Sequence, residues 1–249
     1  MMQLKMKGLK FPCPLHVLVD GPVEQNETEM IFEMVCKQEL YDKTIHSVWL
    51  YLESGRTAVE ETLKNNEFLN ILQKNILIES SSLESTIGVL SILTRSDPVT
   101  FLLMGSYKLI IKLFQYQLKY SIYMMALDCL YSLISTHSSE LILKLLEEND
   151  LLLFIILNGI SKENDKEENE LCGEMLKISL SCEGVRIKLS KDLHCLNNFL
   201  THLNYIYQSI LVDMNNHILL IRLCECIEYL TWDSSIKFII ESYYSGLLQ

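Results

Sequence analysis

Apolar residues recur at helical spacing along this chain from about Glu29 to its far end. Leu127, Leu130, Leu133 and Ile134 form one stripe, and Leu141, Leu145 and Leu146 form another. Steps of three and four place side chains on one face of an α-helix. No stretch sustains the two-residue alternation of a half-buried strand. The β-branched residues are scattered among Leu, Lys and Glu, which favour helix. The first 29 residues differ, holding three of the four prolines and little periodicity. The pattern therefore predicts an irregular arm over 1–29 and a helical domain over 30–249.

A junction recurs within the helical part. Leu93-Thr94, Ile134-Ser135, Leu180-Ser181 and Leu230-Thr231 each join an aliphatic residue to a hydroxyl residue and then a short polar turn. An apolar residue stands four positions earlier each time (Val89, Leu130, Leu176, Cys226), and another seven or eight positions later (Phe101, Ile142, Ile187, Phe238). The junctions are about 41, 46 and 50 residues apart, close to the ~40–47-residue period of armadillo and HEAT repeats. Ser96, Ser138 and Ser234 are placed to accept hydrogen bonds from the free amides that start the next helix. Pro98 suits a first helical turn, having no amide hydrogen to satisfy. The reading is all-α: an armadillo- or HEAT-like solenoid of about five or six units, each burying its apolar face only against its neighbours.

Composition narrows the function classes. Half the chain (49%) is apolar, which excludes intrinsic disorder. Its 21 Lys+Arg against 32 Asp+Glu give a net charge of −11, which repels phosphate backbones unless basic residues cluster. The longest apolar run, Leu151 to Leu157, is far short of the ~18 residues that span a bilayer. Lys5, Lys7 and Lys10 precede an apolar stretch, but Pro12, Pro14 and His16 interrupt it, against a signal peptide. Cys129, Cys172, Cys182, Cys224 and Cys226 lie within apolar helical patterns, where a reduced thiol acts as a small hydrophobe. Reduced thiols point to a cytosolic protein.

Motifs for chemistry are missing. There is no Gly-x-x-x-x-Gly-Lys loop, no Gly-x-Ser-x-Gly elbow and no His-Glu-x-x-His. The six histidines form no ligand-spaced pair, so no metal and no cofactor are expected. The acidic run from Glu163 to Glu170 lacks the central glycine of a calcium loop and reads as a solvated lead into a helix. The expectation is a noncatalytic binding protein. Tyr107, Tyr116, Tyr120 and Tyr123 cluster, and any that escape the core could line a groove.

Several segments resemble one family, the armadillo-repeat subunit of the CCR–NOT deadenylase complex, known as "required for cell differentiation". Trp49-Leu-Tyr-Leu52 is similar to the family's Trp-His-x-Phe helix, and Ala126-Leu-Asp-Cys-Leu-Tyr-Ser-Leu133 to its Ser-Leu-Gly-x-Ile-Gly-Ala-Leu helix. Glu174–Gly184 and Leu219–Thr231 resemble two later helices in order and spacing. The resemblance implies an adaptor that docks on the complex's large scaffold subunit and recruits regulatory peptides through a concave groove. It puts Leu50, Leu52, Arg56 and Asp128 at groove positions. Asp128 stands for a glycine and Arg56 for an alanine, changes that would narrow or charge the groove.

Ile221, Glu225 and Tyr229 occupy positions that are basic in the family, so nucleic-acid binding is expected to be weak or absent. Members of the family self-associate, which leaves a homodimer open. The expected compartment is the cytoplasm, with the nucleus as a second one. The rival reading is an armadillo or HEAT adaptor of another cytosolic pathway, in transport or signalling. Importin-type solenoids carry Trp–Asn ladders at each repeat, and here only Trp49 and Trp232 exist.

Overall fold

The computed structural model describes residues 25–37, 39–76, 80–136, 142, 152–160, 166–212 and 217–245. Among these, every regular element is helical and no strand occurs. Residues 1–24 of the expected arm, Ser138 and the Leu141/Leu145/Leu146 stripe lie outside the described residues. The first helix begins at Gln25, within the segment expected to be irregular. The chain forms two compact units, one ending with Tyr116–Cys129 after a break at Leu109, the other comprising Ile110–Gln115 and the chain from Leu130 on.

The first unit contains α1 (Gln25–Val35), α2 (Tyr41–Glu53), α3 (Arg56–Leu63), α4 (Asn66–Lys74), α5 (Leu83–Ser96) and α6 (Pro98–Leu103), with the start of α7 (Tyr107–Leu113) and most of α8 (Tyr120–Ile134). α2 is helical because Tyr41, Ile45, Val48 and Leu52 recur at steps of four, three and four, and all four are buried. Gly55, at φ 144°, turns the chain between α2 and α3 in a region that disfavours side chains. α5 buries two stripes, Ile87 and Leu90 on one side and Val89 and Leu93 on the other, and packs against α2, α3 and α6.

The polar joints between these helices keep one order. Along α2 and α5, Asp42 accepts from Ser82 Oγ (2.5 Å), His46 Nδ1 meets Ser85 Oγ (3.2 Å), and Trp49 lies on Gly88. Along α5 and α8, Glu84 accepts from Ser121 Oγ (2.8 Å) and Asp128 from Ser91 Oγ (2.5 Å). Rising numbers meet rising numbers, so α2, α5 and α8 run parallel. Parallel neighbours need the chain to return between them, and two helices intervene each time, α3 and α4, then α6 and α7.

The second unit repeats this connection through α9 (Leu152–Asn158), α10 (Lys166–Ser181), α11 (Glu183–Lys191), α12 (Leu193–Val212), α13 (His217–Thr231) and α14 (Ser234–Ser245). Here α9 packs on α12, α10 on α13 and α11 on α14, so each helix meets the third one after it. Glu174 faces Arg222 and Lys177 faces Glu225, which makes α10 and α13 parallel as well.

The sequence junctions fall at the ends of α5, α8, α10 and α13. Val89, Leu130, Leu176 and Cys226 are all fully buried. Three junction hydroxyls do the same local task, Ser135, Ser181 and Thr231 each donating to the carbonyl three residues back. The later apolar position divides: Phe101 and Ile142 are buried, whereas Ile187 is 38% and Phe238 74% exposed. The caps also differ from expectation. Asp97, not Ser96, accepts from Thr100 N, while Ser96 Oγ turns back to Ile92 O. Asp233, not Ser234, accepts from the amides of Ser235 and Ile236. In each case the helix starts at a register that makes the neighbouring carboxylate the residue flanking it, and an ionised acceptor binds amides more strongly than a hydroxyl. Pro98 does occupy the first turn of α6.

Candidate interaction surface

α2, α5 and the first part of α8 lie side by side, and their outward residues form the surface on which the sequence placed its groove. Trp49 is half-buried on α2, with its indole against α5 at Gly88 and the His46 ring edge-on to it at 5.8 Å. Gly88 is what admits the indole, because a Cβ there would stand 2.6 Å from Trp49 Cε2.

Asp128 is not a free carboxylate on this surface. Its Oδ2 accepts from Ser91 Oγ at 2.5 Å and pairs with Arg95 Nη2 at 2.6 Å, so α5 supplies both partners. One heptad earlier, Glu84 meets Ser121 Oγ, with Lys119 Nζ 3.9 Å from the other carboxylate oxygen. Both acidic groups therefore face a cation. Asp42, on the α2/α5 side, is instead held by the hydroxyls of Ser80 and Ser82, and Trp49, His46, Leu50 and Ile92 are half-buried.

The other predicted residues are placed differently. Leu50 is half-buried on α2. Leu52 is 2% exposed and belongs to the core, where it repeats the position of Leu93 at the end of α5. Arg56 is exposed at the start of α3 and pairs with Glu60 Oε1 at 2.6 Å on its own helix. Asp128 and Arg56 thus share no partner. Among the tyrosines, Tyr107 is in the core, Tyr116 and Tyr120 are exposed, and Tyr120 stacks on Tyr123 at 6.4 Å.

Sequence reasoning missed Arg95 and Gly88. Arg95 stands inside a quoted junction, but nothing local signals that its carboxylate partner lies 33 residues on. It also missed Arg186, a buried arginine of α11. Its Nη1 donates to Leu180 O (2.7 Å) and Ser181 O (2.8 Å) at the end of α10, and its guanidinium lies over the Trp232 ring at 5.6 Å. A cation suits the negative end of a helix.

On α13, Ile221 is exposed, Tyr229 stands edge-on to Trp232 at 4.7 Å, and Glu225 is held by Lys177 (3.3 Å) and Arg222 (3.1 Å). Arg222 Nε lies 2.7 Å from Glu174 Oε2, closing a four-residue network across α10 and α13. Its two cations are thereby committed to carboxylates. Among the described residues no group of three His, Cys, Asp or Glu could hold a metal ion. No helix among them is long and apolar enough to cross a membrane. No protein-family model matches the chain, and no curated protein matches it.

Proposed function

We propose that this chain is a noncatalytic adaptor of armadillo type, a divergent relative of the CCR–NOT armadillo subunit working in cytoplasmic mRNA decay. It rides on a larger scaffold chain and presents the α2/α5/α8 surface to a peptide segment of a partner. The observation that carries this reading is the three-helix connection, in which α2 packs on α5 and, in the second unit, α9 packs on α12, α10 on α13 and α11 on α14. Three-helix units of ~40–47 residues are the armadillo pattern, and stacked units work by offering a continuous surface. The paired charges at Asp128 and Glu84 favour a partner that docks on the α5/α8 part of this surface by apolar anchors and hydrogen bonds, because neither of these two carboxylates is left to attract a basic segment. The family's nucleic-acid binding is not carried over, since Glu225 and Ile221 replace cations and Lys177 and Arg222 are engaged.

The test is capture of the tagged full chain from native extract at mild salt, followed by mass spectrometry. Deadenylase and scaffold subunits are expected. Their absence, with other partners captured instead, would move the chain to another adaptor pathway. A gel shift at low salt checks the nucleic-acid statement, and micromolar binding to a single strand would overturn it.

A further inference from the structure

From Pro98 to Leu127 the chain carries no Asp or Glu and three lysines, Lys108, Lys112 and Lys119, although its net charge is −11. The two carboxylates that bound this stretch are engaged, Asp97 by the amide and hydroxyl of Thr100 and Asp128 by Ser91 and Arg95. Within the first unit the stretch exposes apolar groups beside its cations. On α6, Phe101 and Leu102 enter the core, while Val99 (44% exposed) and Leu103 (72%) stand one turn apart on the outer face. A tight reversal follows, with Gly105 at φ 74°, and Lys108 is exposed in the first turn of α7. The segment leading into α8 adds exposed Tyr116, Lys119 and Tyr120. Glu84 reaches the edge of this surface, 3.9 Å from Lys119.

The character of these groups selects the occupant. Val99 and Leu103 project from a short helix, so whatever receives them must yield around them. The interface of a bilayer does so, taking up aliphatic side chains at headgroup depth while lysines meet anionic lipid. Tyrosine suits the same depth, with an apolar ring and a polar tip. All three cations are lysines. A guanidinium fork fits a fixed carboxylate, whereas a point charge on a flexible stem fits a fluid array of headgroups. The acidic remainder of the chain does not forbid approach, since at physiological salt exposed charges more than ~8 Å from the membrane are largely screened. No helix among the described residues is long and apolar enough to cross a bilayer, so the contact is peripheral.

We propose that the exposed stretch from α6 to the start of α8 binds an anionic membrane surface, with Val99 and Leu103 entering the interface and the lysines meeting acidic headgroups. The contact does not depend on the peptide-docking reading, because Val99, Leu103 and Lys108 lie outside α2, α5 and α8. Cosedimentation of the full chain with sucrose-loaded vesicles tests it. Vesicles of equal parts phosphatidylserine and phosphatidylcholine should bind the protein at low salt and release it at high salt, and pure phosphatidylcholine should not bind it. Leu103→Ser and Lys108→Glu, both at exposed positions, should each weaken binding about tenfold with an unchanged circular dichroism spectrum. Arg56→Glu makes the same change of net charge from α3 and should leave binding unaltered. Absence of binding to the anionic vesicles overturns the proposal. So does a loss in Arg56→Glu equal to that in Lys108→Glu, or full binding in Leu103→Ser. Binding to a polyglutamate peptide without binding to vesicles overturns it too, and would make the surface one for an acidic polypeptide.

Discussion

The indole of Trp49 lies across Gly88 so closely that a Cβ added there would come within 2.6 Å of it. Glycine inside a helix normally weakens it by ~0.5–1 kcal/mol relative to alanine. Gly88→Ala should reverse that sign. The indole must shift in a packed seam, and overpacking of this kind costs about 1–3 kcal/mol. Urea unfolding of the single variant and of Gly88→Ala combined with Trp49→Leu measures it. The second substitution should recover much of the loss, and an additive pair would show that the two residues do not interact.

Arg186 ties two junctions of the second unit, the end of α10 through two carbonyls and the end of α13 through Trp232. Arg186→Leu would keep the volume roughly but leave both carbonyls of a buried helix end without their donor. Hydrogen bonds to a charged group contribute ~1.5–3 kcal/mol, so a loss in that range is expected. Lysine should restore little of it, since a point charge cannot both fork to two carbonyls and lie flat on an indole. Trp232→Ala leaves both carbonyl hydrogen bonds in place and removes the guanidinium contact, worth about 1 kcal/mol, together with the edge-on contact to Tyr229, worth about as much. A larger loss for the tryptophan variant than for the arginine variant in chemical denaturation would contradict this division.

The thiols separate by burial. Desolvation pushes Cys172 up to about 12, with the Glu168 carboxylate adding to it, and pushes Cys129 and Cys226 well above the usual thiol range. Cys224, two residues from Cys226, is exposed on the other side of α13. Reactivity follows the thiolate, so iodoacetamide at mildly alkaline pH should label Cys224 in the folded protein and leave Cys129, Cys172 and Cys226 unmodified until denaturant is added. Peptide mapping reads the order. Early labelling of Cys226 would mean that α13 is not packed as described.

What could be read from the residues was whatever depends on near neighbours. Val89, Leu130, Leu176 and Cys226 stand one helical turn before their junctions, and that period alone marks them for burial. Leu52 belongs to the same series, with Val48 four residues earlier, but Glu53 follows it directly where Ser or Thr marked the others. Ile187 and Phe238 share the sequence position of Phe101, yet remain exposed, because burial there depends on what packs over the helix and not on the helix itself. The same limit hid the Asp128–Arg95 pair. A carboxylate that looked like a charge added to a groove is matched by a cation on a neighbouring helix, and only the parallel stacking of α5 and α8 brings them together.

Two carboxylates of the second unit set its behaviour in acid. Burial pushes the Glu225 carboxyl up, but hydrogen bonds and charge from Arg222 and Lys177 outweigh it and hold the group below its ordinary 4.5. The Ser235 hydroxyl and the amides of Ile236 and Ser235 hold Asp233 below its ordinary 3.8. In both cases the unfolded chain takes up a proton at a higher pH than the folded one. Their contribution to stability is therefore complete above the ordinary values and is lost as pH falls beneath them through the folded values. Urea midpoints collected from neutral pH down to about pH 3 should fall along an acid limb that starts near pH 4.5. Glu225→Gln should lower the midpoint at neutral pH and flatten that limb, because the group that titrates is gone and Lys177 and Arg222 lose a shared partner. Asp233→Asn should flatten its lower part, below 3.8. High salt should narrow the neutral-pH gap between the protein and its Glu225→Gln variant, since the network is partly open to solvent and screened. An acid limb of unchanged slope in both variants would place the titrating groups elsewhere in the chain and remove this network from the account of its stability.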